Sequence, residues 1–121
     1  MHIETIQLEN VGVFAGVQSI DLRVTDARRP VVLIGGLNGC GKTTLLESIL
    51  LALYGKLSPA ARNSRSSYDS YLESLMTTGA DGGSAVELAF RVHEGAVEHR
   101  YVVRRSWIKT GNRIREDLEV Q

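Results

Sequence analysis

Only one cysteine, Cys40, and two prolines occur in the 121 residues, and aromatic side chains make up 6% of them. A single cysteine excludes an intramolecular disulfide, which fits a reducing, cytoplasmic compartment. No apolar run approaches the length needed to cross a bilayer, so no membrane partner is expected. The opening Met1-His2-Ile3-Glu4 alternates and carries an acid, unlike a secretory signal. Net charge is lacking as well: fourteen basic and fourteen acidic side chains cancel. Any basic surface must therefore be local. No internal repeat or heptad pattern is present.

What is present suits one small domain with a real core, with 43% hydrophobic and 23% charged residues. Ile3 to Leu8 reads as a strand that exits through Asn10-Val11-Gly12. Gln18-Ile20-Leu22-Val24 reads as an antiparallel partner. Thr25 to Pro30 is a polar, basic connection. Val31-Val32-Leu33-Ile34 is apolar without alternation, the pattern of a strand buried on both faces. A helix is predicted from Lys42, with Leu45, Leu46, Ile49, Leu50 and Leu53 at helical spacing and Gly55 as its stop.

Residues 56–83 are rich in Ser, Arg, Asn and Gly, with one periodic piece, Tyr68-Tyr71-Leu72-Leu75-Met76, that predicts a short helix. Such composition buries little, and the segment reads as a mobile polar insertion. From Ser84 the period becomes two. Val86, Leu88, Phe90 and Val92 share one face, opposite Glu87, Arg91 and His93. Turns are predicted at Glu94-Gly95 and at Thr110-Gly111-Asn112, which makes 84–121 a strand meander.

Between the apolar strand and the helix lies Gly36-Leu37-Asn38-Gly39-Cys40-Gly41-Lys42-Thr43. This octet fits G-x-x-x-x-G-K-[ST], the phosphate-binding loop (P-loop, or Walker A motif) of nucleotide-binding proteins. Small residues let successive backbone N–H groups turn inward around phosphate oxygens, and the helix that follows adds its N-terminal partial positive charge. The octet predicts binding of ATP with Mg²⁺. Lys42 is the expected catalytic cation, reaching the β- and γ-phosphates. Thr43 would hold Mg²⁺ through its hydroxyl, and Thr44 would bond the α-phosphate. Gly36, Asn38, Gly39, Cys40 and Gly41 complete the expected cradle. Cys40 either fills a place that needs a small residue or, with its pKa lowered by the helix end, makes nucleotide binding sensitive to thiol modification.

Strand, loop and helix, preceded by two antiparallel strands and followed by a meander, resemble the N-terminal lobe of the ABC-type ATPase heads of the SMC-like family. That family includes the SbcC-type and RecF-type DNA-repair proteins. The resemblance is carried by Leu8-Glu9-Asn10-Val11-Gly12-Val13-Phe14 and by residues 36–54. Within the family the chain is similar to the DndD-type ATPases of bacterial DNA phosphorothioation (sulfur-modification) systems. This likeness rests on Arg29-Pro30-Val31-Val32-Leu33-Ile34-Gly35-Gly36-Leu37-Asn38-Gly39, on Leu51 to Gly55, on Ser67-Tyr68 with Tyr71-Leu72, and on Tyr101 to Trp107.

The resemblance implies an α/β fold, the P-loop NTPase lobe of an SMC-like head. Residues 1–55 would carry its strands and P-loop helix, 56–83 the insertion and 84–121 the meander. It places Asn10 to Ala15 near base and ribose, with Phe14 either there or in the core, and gives Asn38 a part in ordering the γ-phosphate. It implies DNA as a partner, the C-terminal half of the same head, a head-to-head homodimer with ATP, and other phosphorothioation-system proteins. No Asp-Glu-terminated apolar strand, Ser-Gly-Gly signature or coiled coil is legible. These 121 residues are therefore expected to bind ATP without turning it over alone. A nucleotide-dependent assembly module with little hydrolysis is the alternative from another class; a small kinase is disfavoured by the two strands before the loop.

Arg100 to Ile114 contains five cations and no acid. Arg104, Arg105 and Lys109 are candidates for DNA phosphate contacts, against the alternative of a sheet edge guarded by charge. Arg105 and Trp107 share one strand face, Arg104 the other. His2, His93 and His99 are scattered, and no metal site beyond nucleotide-borne Mg²⁺ is expected.

Overall fold

A computed structural model describes residues 1–24, 26, 28–29, 32, 35–36, 41–79 and 82–121. Among these residues five strands form one antiparallel sheet: β1 (His2–Val11), β2 (Phe14–Asp21), β3 (Ser84–Glu94), β4 (Val97–Thr110) and β5 (Arg113–Val120). Their order across the sheet is β2-β1-β3-β4-β5. Three tight turns set the register by one recipe. The strands close at Val11↔Phe14, Glu94↔Val97 and Thr110↔Arg113, each time around two residues of which the first is glycine. Those glycines, Gly12, Gly95 and Gly111, hold φ between 55° and 63°, the left-handed start that two-residue hairpins require. The meander and its turns thus form where the alternation and the glycines placed them.

The connection from β2 to β3 carries α1 (Lys42–Tyr54), a 3₁₀ turn (Gly55–Leu57), α2 (Pro59–Asn63) and α3 (Tyr68–Leu75). Ile6 and Leu8 of β1, Val86 and Leu88 of β3, and Val103 and Trp107 of β4 form the covered side of the sheet. Leu45 and Leu51 of α1 join them, with Tyr71, Leu72 and Leu75 of α3; Val103 is buried at the margin. Among the described residues no helix is long and apolar enough to span a membrane.

Two expectations need correction. The segment 56–83 does not bury little: Leu72 is fully buried, Ser58 1% and Tyr71 8% exposed. Its composition, averaged over polar neighbours, hides apolar side chains that share one turn of α3. The segment is also stitched to the β1–β2 turn. Gly12 N–H donates to the Leu75 carbonyl at 2.7 Å, Thr77 N–H to that of Asn10 at 3.0 Å, and the Thr77 hydroxyl to that of Gly12 at 2.8 Å.

Second, α1 is turned relative to the expected face. Leu45, Ser48, Leu51 and Ala52 are buried, while Leu46 is 59% exposed. Apolar residues nearly encircle this helix, so periodicity alone cannot choose the inward side. Ser48 is tolerated inside because its hydroxyl donates to the Thr44 carbonyl at 2.6 Å. The strand expected at 31–34 lies outside the described residues except for Val32, which is 44% exposed.

Candidate nucleotide site at the start of the first helix

The first turn of α1 is shaped by the sheet rather than by its own side chains. Gly41 is the N-cap, with φ 101° and no capping side chain, and no acid occupies the first turn. The orphan N–H groups of that turn are therefore not claimed by a cap, and the helix dipole is not neutralised by a carboxylate. Such an end is suited to an anion.

The β1–β2 turn is wedged against this end. A Cβ on Gly41 would lie 2.8 Å from the Phe14 ring and 2.8 Å from Val13 Cγ2; one on Gly12 would lie 3.0 Å from Thr44 Cγ2. Both close approaches work because both positions lack a side chain. Gly12, Val13 and Phe14 of this turn thus reach the helix start. Phe14 is half-buried and packs against the core while backing Gly41. Asn10 supports the turn, its side-chain oxygen accepting from Gly16 N–H at 2.8 Å.

Lys42 and Thr43 are exposed and Thr44 half-buried. The Lys42 ammonium donates to the Gly36 carbonyl at 2.5 Å, joining the first glycine of the octet to its lysine. Asn38, Gly39 and Cys40 lie outside the described residues, and with them the proposed roles of Asn38 and the Cys40 thiol. The structure therefore brings Gly36, Gly41, Lys42, Thr43 and Thr44 to one end of one helix. The residues present fit a bound triphosphate: uncapped helix amides, a cation on a flexible stem and a hydroxyl at the motif position.

A cleft of about 490 Å³, lined among others by Glu9, Ser84, Arg104, Ser106 and Asp117, opens elsewhere. Glu9, Ala85, Arg104 and Ser106 of its lining lie on the sheet face away from α1, whereas Ser84, Trp107 and Glu116, which also line it, belong to the covered face, so it wraps the end of the strands. It mixes acids and cations and has no part in the phosphate loop.

The three basic candidates for DNA are all engaged. Arg104 meets Glu9 at 3.0 Å and Glu87 at 3.9 Å, and Lys109 meets Glu73 at 2.6 Å. Arg105 is 7% exposed and bonds Glu116 at 3.0 Å. A Cβ on Gly55 would come within 2.8 Å of its guanidinium, which therefore sits against the C-terminal end of α1. That end carries partial negative charge, so the cation stabilises the helix that holds the phosphate loop. Tyr68 also donates to Glu116; burial first, and then that carboxylate, push the Tyr68 hydroxyl well above its usual range. The run 100–114 is acid-free along the chain but not in space, because its carboxylates come from β1, β3, α3 and β5. Arg105 is accordingly interior and not available to a phosphate. The strand alternation that pairs it with Trp107 was the signal for this.

Sequence relationships agree with the geometry. The protein family described as AAA domain matches residues 5–120. The chain is 43% identical over 51 residues, 42% of its length, to the SbcC component of the nuclease SbcCD of Treponema pallidum (strain Nichols). It is 38% identical over 64 residues, 53% of its length, to the DNA repair protein RAD50 of Drosophila melanogaster. Each match spans 5% of the relative.

Proposed function

Because the chain belongs to the AAA domain family, we propose that it is the ATP-binding N-terminal portion of an SMC-like ATPase that acts on DNA. The observation that carries this reading is the first turn of α1: an uncapped helix start led by Gly41, with Lys42 reaching back to Gly36. Gly36, Asn38, Gly39, Cys40 and Gly41 wrap the phosphates. Lys42 gives up the Gly36 carbonyl for the β- and γ-phosphate oxygens, where a cation opposes the charge that develops in phosphoryl transfer. Thr43 holds the Mg²⁺ that accompanies the nucleotide, and Thr44 bonds the α-phosphate. Mg-ATP supplies the transferable phosphoryl group; the chain's own residues bind it, orient it and screen it.

In this reading turnover needs the C-terminal half of the same head, which supplies the second metal contact and the catalytic base, and a head-to-head homodimer that closes over ATP. The protein works in the cytoplasm. Its specific task is coupling ATP binding and hydrolysis to DNA phosphorothioation with other proteins of that system, on the strength of the DndD-type residues at 29–39, 51–55, 67–72 and 101–107. A repair ATPase of the SbcC or RecF type is the second reading, favoured by the names of the two relatives. DNA contact at Arg104 or Lys109 would require phosphate to displace Glu9 or Glu73, and Arg105 is excluded from it by burial.

Calorimetric titration of Mg-ATP into the chain and into Lys42→Ala tests the nucleotide claim. Saturable binding that weakens at least about tenfold in the variant, the loss of one charge-assisted contact, is expected. Equal affinities would remove Lys42 from the phosphates and the proposal with it.

A further inference from the structure

Resting on the reading of the chain as part of an ATPase that acts on DNA, we infer that the surface of segment 56–65 contacts the phosphate backbone of duplex DNA through Lys56, Arg62 and Arg65. From Ser48 to Tyr68 the chain contains no Asp or Glu. The charge distribution in space sets these three cations apart. Arg23, Arg91, Arg100, Arg104, Arg105 and Lys109 are each matched to a carboxylate. Lys56, Arg62 and Arg65 are exposed and join no ion pair among the described residues. Arg113 and Arg115 also lack such a pair, but they share β5 with Glu116, Asp117 and Glu119; Arg28 and Arg29 lack one but follow Asp26 closely, and Lys42 is held by the Gly36 carbonyl.

The three cations sit on ordered backbone rather than on a loose tail. Gly55 packs on the Arg105 guanidinium, and Ser58 is 1% exposed, so the near side of the segment is anchored. Ser58 N–H donates to the Gly55 carbonyl at 2.9 Å and Arg62 N–H to that of Ser58 at 2.9 Å, linking the 3₁₀ turn to α2. The far side faces solvent, with Leu57 71% and Tyr54 55% exposed beside Lys56. Exposed Asn63 and Ser66 flank the arginines, residue types that donate to phosphate oxygens.

Arg62 and Arg65 can be no more than about 11 Å apart at ~3.6 Å per residue, a span that covers about three phosphates of one strand. Uncompensated cations at that spacing suit a polyanion of fixed charge density. Nothing in the segment resembles a base-reading element, so the contact is independent of sequence.

The test is fluorescence anisotropy of a labelled mixed-sequence duplex, titrated with the protein across a salt series. The comparison is Lys56→Gln/Arg62→Gln/Arg65→Gln, which keeps the side-chain stems, with Arg113→Gln/Arg115→Gln as control. The log–log salt slope should fall by about 2.7 in the triple variant, ~0.9 per lost phosphate contact, and by less than about 1 in the control. Three results overturn the inference: an unchanged slope in the triple variant, no duplex binding by the wild type at low salt, or displacement of the duplex by poly-glutamate at lower concentration than by unlabelled duplex. The last would identify an acidic protein surface as the partner. Mg-ATP titration of the same preparations separates the two claims: lost nucleotide binding with an intact slope counts against the phosphate loop alone.

Discussion

Gly41 answers to two demands at once. It must hold φ 101° to open α1, and it must leave room for the Phe14 ring and Val13. Gly41→Ala should therefore lower stability by about 1–3 kcal/mol, through left-handed strain and a forced shift of the β1–β2 turn. Chemical denaturation measures the loss. A variant as stable as the wild type would show that the turn is not wedged against the helix start. The glycine was legible in the sequence as part of the octet, and so was the helix that starts at Lys42. Arg105 was not. An acid-free run suggested a cation facing solvent, yet Glu116 lies eleven positions away on the next strand and Gly55 belongs to another element. Pairing across strands depends on register, which a local count of charges does not contain.

Among the elements, the hairpins were the most legible, because a two-residue alternation ending in a turn glycine has few other solutions. The helical segment after α1 was the least. Its polar composition outweighed the spacing Tyr68-Tyr71-Leu72-Leu75, although α3 has a complete local signal, with the Ser67 hydroxyl accepting from Ser70 N–H at 3.2 Å. The buried Trp107 indole donates to the Leu72 carbonyl at 3.0 Å, so α3 satisfies the largest buried side chain of the sheet. Leu72→Ala should cost about 2–5 kcal/mol of unfolding free energy, the range for a deleted core leucine. A loss below about 0.5 kcal/mol in denaturant titration, the level of an ordinary surface substitution, would return the segment to the status of a surface insertion.

At the scale of the molecule, one sheet face is covered by helices and the other carries interleaved charges, with Glu9, Glu87 and Arg104 on neighbouring strands. The phosphate loop leaves the same connection that supplies the covering helices. The sheet, its order and the family match across residues 5–120 describe an α/β domain of AAA type. Alternation and glycines made the antiparallel part readable. The strand expected at 31–34 lies mostly outside the described residues.

The measurement that bears most directly on the central claim is a ¹H–¹⁵N amide spectrum of the chain titrated with Mg-ATP. Shifts should concentrate at Gly41, Lys42, Thr43 and Thr44, with the packed turn residues Gly12, Val13 and Phe14 following. Shifts confined to the opposite sheet face, around Ala85, Arg104 and Asp117, or absent at saturating nucleotide, would contradict a phosphate site at the start of α1.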